Sequence, residues 1–303
     1  MYPVAVSLPI QDAYDARTPE ERRHAKQREE GRAAYARKDW PEVLRLLTPL
    51  REFYKTDPEF FNTLGNAYFF LTQAPSSENR EKNFDAALDN YREALKIAPK
   101  NAAYFGNVGN LWRTRAIADS NPKSRREKWQ EAATAYESSV TLLRGNSIDL
   151  NYLGMCYFAL GRFAEAEKAQ REAIDARPNA GPSYIAGLWF NVGEDCLGQK
   201  KWPEAEGAYL EAVKLAPKIA RFQNSLGLMR FVQGKFAEAE APFREAYRLE
   251  PKVAQHPTNL GSTLLKLGRP DDARPLVQEA RRLGLLDTHW AVIELGLAGT
   301  PRQ

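Results

Sequence analysis

The side chains that could do chemistry are few and far apart. In 303 residues there are two cysteines and three histidines. His24, His256 and His289 are isolated from one another, and no pair has the spacing at which a helix or short loop presents two ligands to one metal ion. Cys156 and Cys196 have no histidine nearby in sequence to take a thiol proton. Both sit in apolar helical patterns, where a cysteine serves as a small buried hydrophobe. His256 precedes Pro257 at a helix start and is expected in solvent; His289, beside Trp290, is expected in a C-terminal cap. Carboxylates pair as Glu165 with Glu167, Glu204 with Glu206 and Glu238 with Glu240. A general acid–base pair needs one asymmetric site. These pairs recur at the same place in successive segments, which marks them as solvated helix faces. No Gly-rich phosphate loop, GxGxxG, HExxH or paired CxxC occurs. The expectation is a protein that is not an enzyme, with no catalytic residue, no metal and no cofactor.

Composition excludes other classes. Apolar residues make up 43% and charged residues 27%, ordinary globular values that argue against disorder. The 43 Lys and Arg against 39 Asp and Glu leave a net charge of +4, which predicts no nucleic-acid binding. Apolar stretches such as Ala67 to Leu71 are far too short to cross a bilayer, so no membrane insertion is expected. Met1 to Ile10 is mildly apolar, lacks Lys and Arg, and contains Pro3 and Pro9, which does not fit a secretory signal and favours a cytoplasmic location. The strongest local charge is Lys123, Arg125, Arg126 and Lys128, beside Asn121-Pro122; it reads as a solvated loop, with a surface for an acidic partner as the alternative.

Order appears at longer range. Leu153-Gly154 is followed at fixed offsets by Tyr157, Gly161, Phe163, Ala166, Ala173 and Pro178. The same offsets from Leu226-Gly227 reach Arg230, Gly234, Phe236, Ala239, Ala246 and Pro251. Val192-Gly193 and Leu260-Gly261 start two more copies. Leu64-Gly65 and Val108-Gly109 start copies with insertions, and Gly31 starts a degenerate first one. The anchor glycines 31, 65, 109, 154, 193, 227 and 261 are spaced 34, 44, 45, 39, 34 and 34 apart, so the base period is 34. The extra residues fall near 73–83, 117–128 and 179–183, in stretches of Ser, Asn, Pro and charge that suit surface loops.

Within one copy, Leu150, Leu153, Gly154, Tyr157 and Phe158 form one helical face, and Phe163, Ala166, Ala169, Ala173 and Ile174 a second. Gly161 separates them at a helix end, and Pro99, Pro178, Pro217 and Pro251 stop the second helix. One such hairpin cannot bury its own apolar face, but a stack can. This pattern resembles the tetratricopeptide repeat (TPR) family over about residues 24 to 285. The departures are Val43 for Ala in the first copy, Pro270 for an aromatic in the seventh, and Gly145 for Pro in the third. The resemblance implies an all-α, right-handed solenoid of about fifteen helices. Residues 1–18 are expected as an extended tail, 19–286 as the seven-repeat solenoid, and 287–303 as a capping helix and tail.

The resemblance also places the first helix of each hairpin on a concave face. Three residues before the anchor glycine stand Asn62, Asn151 and Asn224; two before stand Asn107, Asn191 and Asn259; Asn66 and Asn110 follow their glycines. Asn offers an acceptor and two donors without charge, which suits the N–H and C=O groups of an extended backbone. Two uses stay open: the row faces a bound peptide, or it ties neighbouring hairpins together. Phe158, Phe190, Phe231 and Arg221 are further groove candidates, alongside Phe69, Phe70, Met155, Leu197, Leu228, Leu265, Arg113 and Lys266. The relatives that clamp chaperone C-terminal carboxylates need two bases that Met155 and Ser225 replace here, so that specificity is not expected. The function expected is a non-enzymatic scaffold that binds a peptide or helix of a protein partner in the groove. The alternative is a homo-oligomeric structural protein that self-associates through its N-terminal tail and inserted loops.

Overall fold

A computed structural model describes residues 17–73, 79–177 and 179–284. Among them are fourteen α-helices, one short 3-10 turn at Thr48–Leu50 and no strand. The chain divides into two compact units at Lys128/Trp129. The first holds α1 (Pro19–Ala36), α2 (Trp40–Leu47), α3 (Pro58–Leu71), α4 (Arg80–Ile97), α5 (Ala102–Ala118) and the opening turns of α6 (Pro122–Leu142). The second holds the rest of α6, then α7 (Ser147–Ala159), α8 (Phe163–Ala176), α9 (Pro182–Gly198), α10 (Trp202–Leu215), α11 (Ala220–Val232), α12 (Phe236–Leu249), α13 (Gln255–Lys266) and α14 (Pro270–Arg282). The cap expected over 287–297 and Met1 to Ile10 lie outside the described residues, as does Pro178.

Helix ends are set by local chemistry. Thr18 and Glu21 form a reciprocal capping box at α1, and the Asp57 carboxylate accepts the N–H groups of Glu59 and Phe60 ahead of Pro58. Helices α4, α10 and α12 each end two residues before Pro99, Pro217 and Pro251. Gly161, Gly234 and Gly268 take positive φ in the turns between paired helices.

The helices pair as hairpins: α1 with α2 and α3 with α4 in the first unit; α7 with α8, α9 with α10, α11 with α12 and α13 with α14 in the second. The anchor glycines let the pairs close up. A Cβ on Gly193 would stand 2.5 Å from the Tyr209 ring, and one on Gly227 would stand 2.7 Å from Phe243. The small core of the first unit is Ala34, Val43, Leu47, Phe60, Leu64 and Ala67; that of the second centres on Ala186, Val192, Cys196, Tyr209, Phe222 and Leu226. Both cysteines are buried, and they form no disulfide.

Four sequence expectations need correction. Residues 122–128 are helix, since Asn121 Oδ1 accepts the N–H groups of Lys123 and Ser124 and starts α6 there. The basic cluster therefore lies on a helix, with Lys128 held by Asp119 and Ser124, and only 119–121 form the connection. His256 is buried, 5% exposed, its Nε2 3.4 Å from Glu250. The other two concern the carboxylates and Phe190 and belong with the site.

Candidate functional site

The first helices carry the Asn residues at equivalent places, and the structure joins them in twos. Asn107 Nδ2 donates to Asn62 Oδ1 at 2.8 Å, from α5 to α3. Asn191 donates to Asn151 at 3.1 Å, from α9 to α7, and Asn259 to Asn224 at 2.7 Å, from α13 to α11. Each bond runs from the residue two before one glycine to the residue three before the previous one. The bonds tie neighbouring hairpins, and each uses only half of the two amides. Among the described residues no group takes Nδ2 of Asn62, Asn151 or Asn224, or Oδ1 of Asn107 or Asn191. Asn259 is different: it is buried, and its oxygen also accepts from Gln255 at 2.7 Å.

The position after the glycine is tied inward instead. Asn66 donates to Tyr35 Oη at 3.0 Å and accepts from Tyr91 Oη at 2.8 Å. Tyr209 Oη donates to Glu194 at 2.6 Å in the corresponding place. Asn110, in α5, is half-buried at the same position.

Apolar side chains flank the second-unit pairs. Met155 and Phe158 follow Asn151 at i+4 and i+7 on α7 and are exposed; Leu228 follows Asn224 at i+4 on α11 and is exposed too. Ile148 and Val232 extend these rows, with Val232 62% exposed. Phe231 is half-buried against Phe236 and Phe243. Phe190 does not line a groove. It is 6% exposed and stacks on Phe222 with ring centroids 5.0 Å apart: at the phase where α7 and α11 carry Asn, its large apolar ring packs into the space between α9 and α11. Arg221 lies over that ring at 4.2 Å and is itself exposed. Between α9 and α11, then, an aromatic stack stands where an Asn pair stands on either side.

The carboxylates also divide. Glu204 and Glu238 are exposed, and Glu165 pairs with Arg162. Glu167, Glu206 and Glu240 are not solvated faces. Glu206 accepts from Arg230 at 3.0 Å, Gln233 at 3.1 Å and Lys235 at 2.7 Å, all from the next hairpin. Glu167 accepts from Gln199 and Lys201 in the same way, and Glu240 from Arg269. Burial opposes ionisation of Glu167, but hydrogen bonds from Gln199, Arg171 and Lys201 outweigh it and hold the carboxyl at about 2. One member of each pair is thus an inter-hairpin clamp, fixed by the 34-residue period of its basic partners.

Asp195 gave no sequence signal beyond being a charge two residues past Gly193 in an apolar helix. It is 1% exposed, and its Oδ2 finds no donor among the described residues. Burial, with Glu167 and Glu194 nearby, pushes its carboxyl up to about 8. Burial chiefly pushes the Cys196 thiol up to about 11, so it is no activated nucleophile. Among the described residues no cluster of His, Cys, Asp or Glu fits a metal ion, and no helix is long and apolar enough to cross a membrane.

With this geometry in hand, the chain can be set beside known proteins. Three family models described as tetratricopeptide repeat match residues 193–254, 146–218 and 258–279. Among curated proteins it is 26% identical over 196 residues to the RNA polymerase-associated protein CTR9 of Caenorhabditis elegans, covering 55% of this chain and 17% of that one. It is 26% identical over 181 residues to the human protein O-mannosyl-transferase TMTC3, covering 58% of this chain and 18% of that protein. It is 31% identical over 94 residues to the small glutamine-rich tetratricopeptide repeat-containing protein 2 of Saccharomyces cerevisiae, covering 31% and 24%. The chain thus spans less than a quarter of the length of these relatives. Among solved structures, the C-terminal part of a TPR repeat-containing protein from Cytophaga hutchinsonii superposes with a TM-score of 0.66 at 14% identity, covering 88% of this chain and 98% of that one. YrrB, described as a TPR protein with an unusual peptide-binding site, superposes with a TM-score of 0.53 at 17% identity, covering 67% and 96%. At these identities the superpositions bear on fold alone.

Proposed function

The chain belongs to the tetratricopeptide-repeat family, and we propose that it is a non-catalytic scaffold that binds an extended or helical segment of a protein partner on its first-helix face. The observation that carries this reading is the second-unit surface of α7, α9 and α11. There, exposed Met155, Phe158 and Leu228 stand beside two Asn pairs: Asn151–Asn191 keeps a free amide NH2 and a free amide oxygen, and Asn224–Asn259 keeps the Asn224 NH2. An alternating donor and acceptor next to apolar side chains matches a peptide backbone with apolar anchors. A peptide-binding site in a protein of like fold, YrrB, supports the same use. The pairing of Asn with Asn does not oppose it, since Asn151–Asn191 leaves one NH2 and one oxygen for a guest, Asn224–Asn259 leaves one NH2, and the bonds hold these groups in place.

The test is to pan a random peptide display library against the full chain and measure the enriched peptides by fluorescence anisotropy. Leu228→Glu and Met155→Glu change exposed positions and leave the core alone, so each should weaken binding tenfold or more with an unchanged melting curve. Enriched peptides that bind both variants as tightly as the parent would refute the face.

A further inference from the structure

The Asn series does not reach α1. Two and three residues before Gly31 stand Glu29 and Arg28, and the surface there has a different chemistry. An open cleft of about 670 Å³ runs along α1, walled by Arg22, Lys26, Arg28 and Arg32 and floored by Phe53 and Tyr54. Arg17, Glu21 and Glu29 complete the charged lining. The two carboxylates are engaged at home: Glu21 accepts the backbone N–H of Thr18 at 2.5 Å, and Glu29 accepts from Arg32 at 2.9 Å. Arg28 is held by Asp57 and lies 4.4 Å over the Tyr54 ring. Arg22 and Lys26 are exposed, one turn apart on the same face, and have no ion-pair partner among the described residues. Like charges at i and i+4 repel on an isolated helix. Phe53, 46% exposed, is steadied edge-on by His24 at 4.6 Å and Tyr54 at 4.9 Å.

We propose that this cleft binds an acidic segment of a partner protein, its carboxylates meeting Arg22 and Lys26 and an apolar side chain seating on Phe53. Charge complementarity selects the occupant. The two free cations stand on an exposed helix side rather than converging with backbone N–H groups on one point, so they suit carboxylates spaced along a chain better than one compact phosphate. The cleft belongs to the first unit and stands on its own observations, apart from the second-unit face proposed above.

The probe is a fluorescein-labelled ten-residue peptide of Asp and Glu with one central Phe, titrated with the full chain by anisotropy at 50 and 300 mM salt. Arg22→Ala/Lys26→Ala should weaken binding at least tenfold and flatten its salt dependence. Arg22→Lys/Lys26→Arg should keep it, and Phe53→Ala should lower it at both salt concentrations. Leu228→Glu should leave it unchanged, which separates this cleft from the first-helix face of the second unit. Equal affinity for parent and double alanine variant, no measurable binding, or tighter binding of an RNA oligonucleotide or inorganic polyphosphate than of the peptide would each overturn the proposal. So would binding seen only in Asp12→Asn/Asp15→Asn, which would give the cleft to the chain's own acidic residues.

Discussion

Asp195→Asn should make the second unit more stable in mild alkali, by an amount that depends on pH in a defined way. The Asp195 carboxyl is raised from 3.8 to about 8 by burial, with Glu167 and Glu194 adding repulsion. Between these two values the unfolded chain is ionised there and the folded chain keeps its proton. The folded state therefore binds one more proton, and stability falls as pH rises, by about 1.4 kcal/mol per pH unit. The stability contributed by this group is fully present below the unfolded value near 4 and is lost by the time pH passes 8. Over that window of about four units the loss is roughly 5–6 kcal/mol. Asn cannot ionise, but it buries an amide where Oδ2 already lacks a donor, at a cost of about 1–3 kcal/mol. The variant should thus be near parity with the parent around pH 5.5 and more stable by about 2–4 kcal/mol at pH 8.5.

The assay is urea unfolding followed by far-ultraviolet circular dichroism from pH 5 to 9, with the parent subtracted from the variant so that histidine titrations cancel. The difference should grow up to pH 8 and then level. Parallel stability curves across that range would refute the reasoning and place the carboxylate in water. A variant less stable than the parent at every pH would show instead that a donor to Asp195 exists.

The other predictions concern packing and clamps. Gly227→Ala puts a Cβ 2.7 Å from Phe243 and should cost about 1–3 kcal/mol by thermal unfolding, whereas Gly207→Ala, inside α10 with open space around it, should stabilise by about 0.5–1 kcal/mol. Glu206→Gln removes the charge that Lys235, Arg230 and Gln233 hold below the usual carboxylate range against the effect of burial. It should cost about 1–3 kcal/mol at pH 7, and the difference should close as acid protonates the parent. Asn151→Ala should lower stability by about 1 kcal/mol through its lost bond to Asn191 and should also weaken peptide binding; a loss of stability alone would confine the pair to a structural role.

The repeat itself was legible because it is one-dimensional. Hairpin spacing, anchor glycines and the aromatic that opens α2, α8, α10 and α12 all recur in the linear order, and Gly193 and Gly227 face the rings that periodicity implies. What stayed hidden depends on phase finer than one residue or on partners one hairpin away. Phe190 sits three residues before its glycine, as Asn151 and Asn224 do, but a large ring at that place rotates into the core and an amide does not. Glu167 and Glu165 look alike in sequence. Only the packing of the next hairpin's turn, with Gln199 and Lys201, distinguishes a clamp from a solvated charge. The α6 start is obscured because charge-rich insertions suggest loops, although Asn121-Pro122 is also a helix-start signal and the insertion continues the helix backwards.

The amide pairs and the aromatic stack are two solutions to one problem, and they are not interchangeable. Neighbouring first helices must find a partner for the residue three before the glycine, which lies between them. Where it is Asn, the next helix supplies an Asn two before its own glycine, and the pair satisfies one donor and one acceptor. Between α9 and α11 the first of these is Phe190 and the second Ser225, and the contact is the Phe190–Phe222 stack instead. Phe190→Asn with Ser225→Asn would continue the amide series through this step. It would gain one hydrogen bond, about 1 kcal/mol, and lose a buried ring worth about 3–5 kcal/mol. The double variant should therefore be less stable by about 2–4 kcal/mol, and Arg221, deprived of the ring beneath it, should become mobile. A double variant as stable as the parent would mean that the ring contributes less than its burial implies, and that the alternation of pairs and stack along the hairpins has no energetic basis.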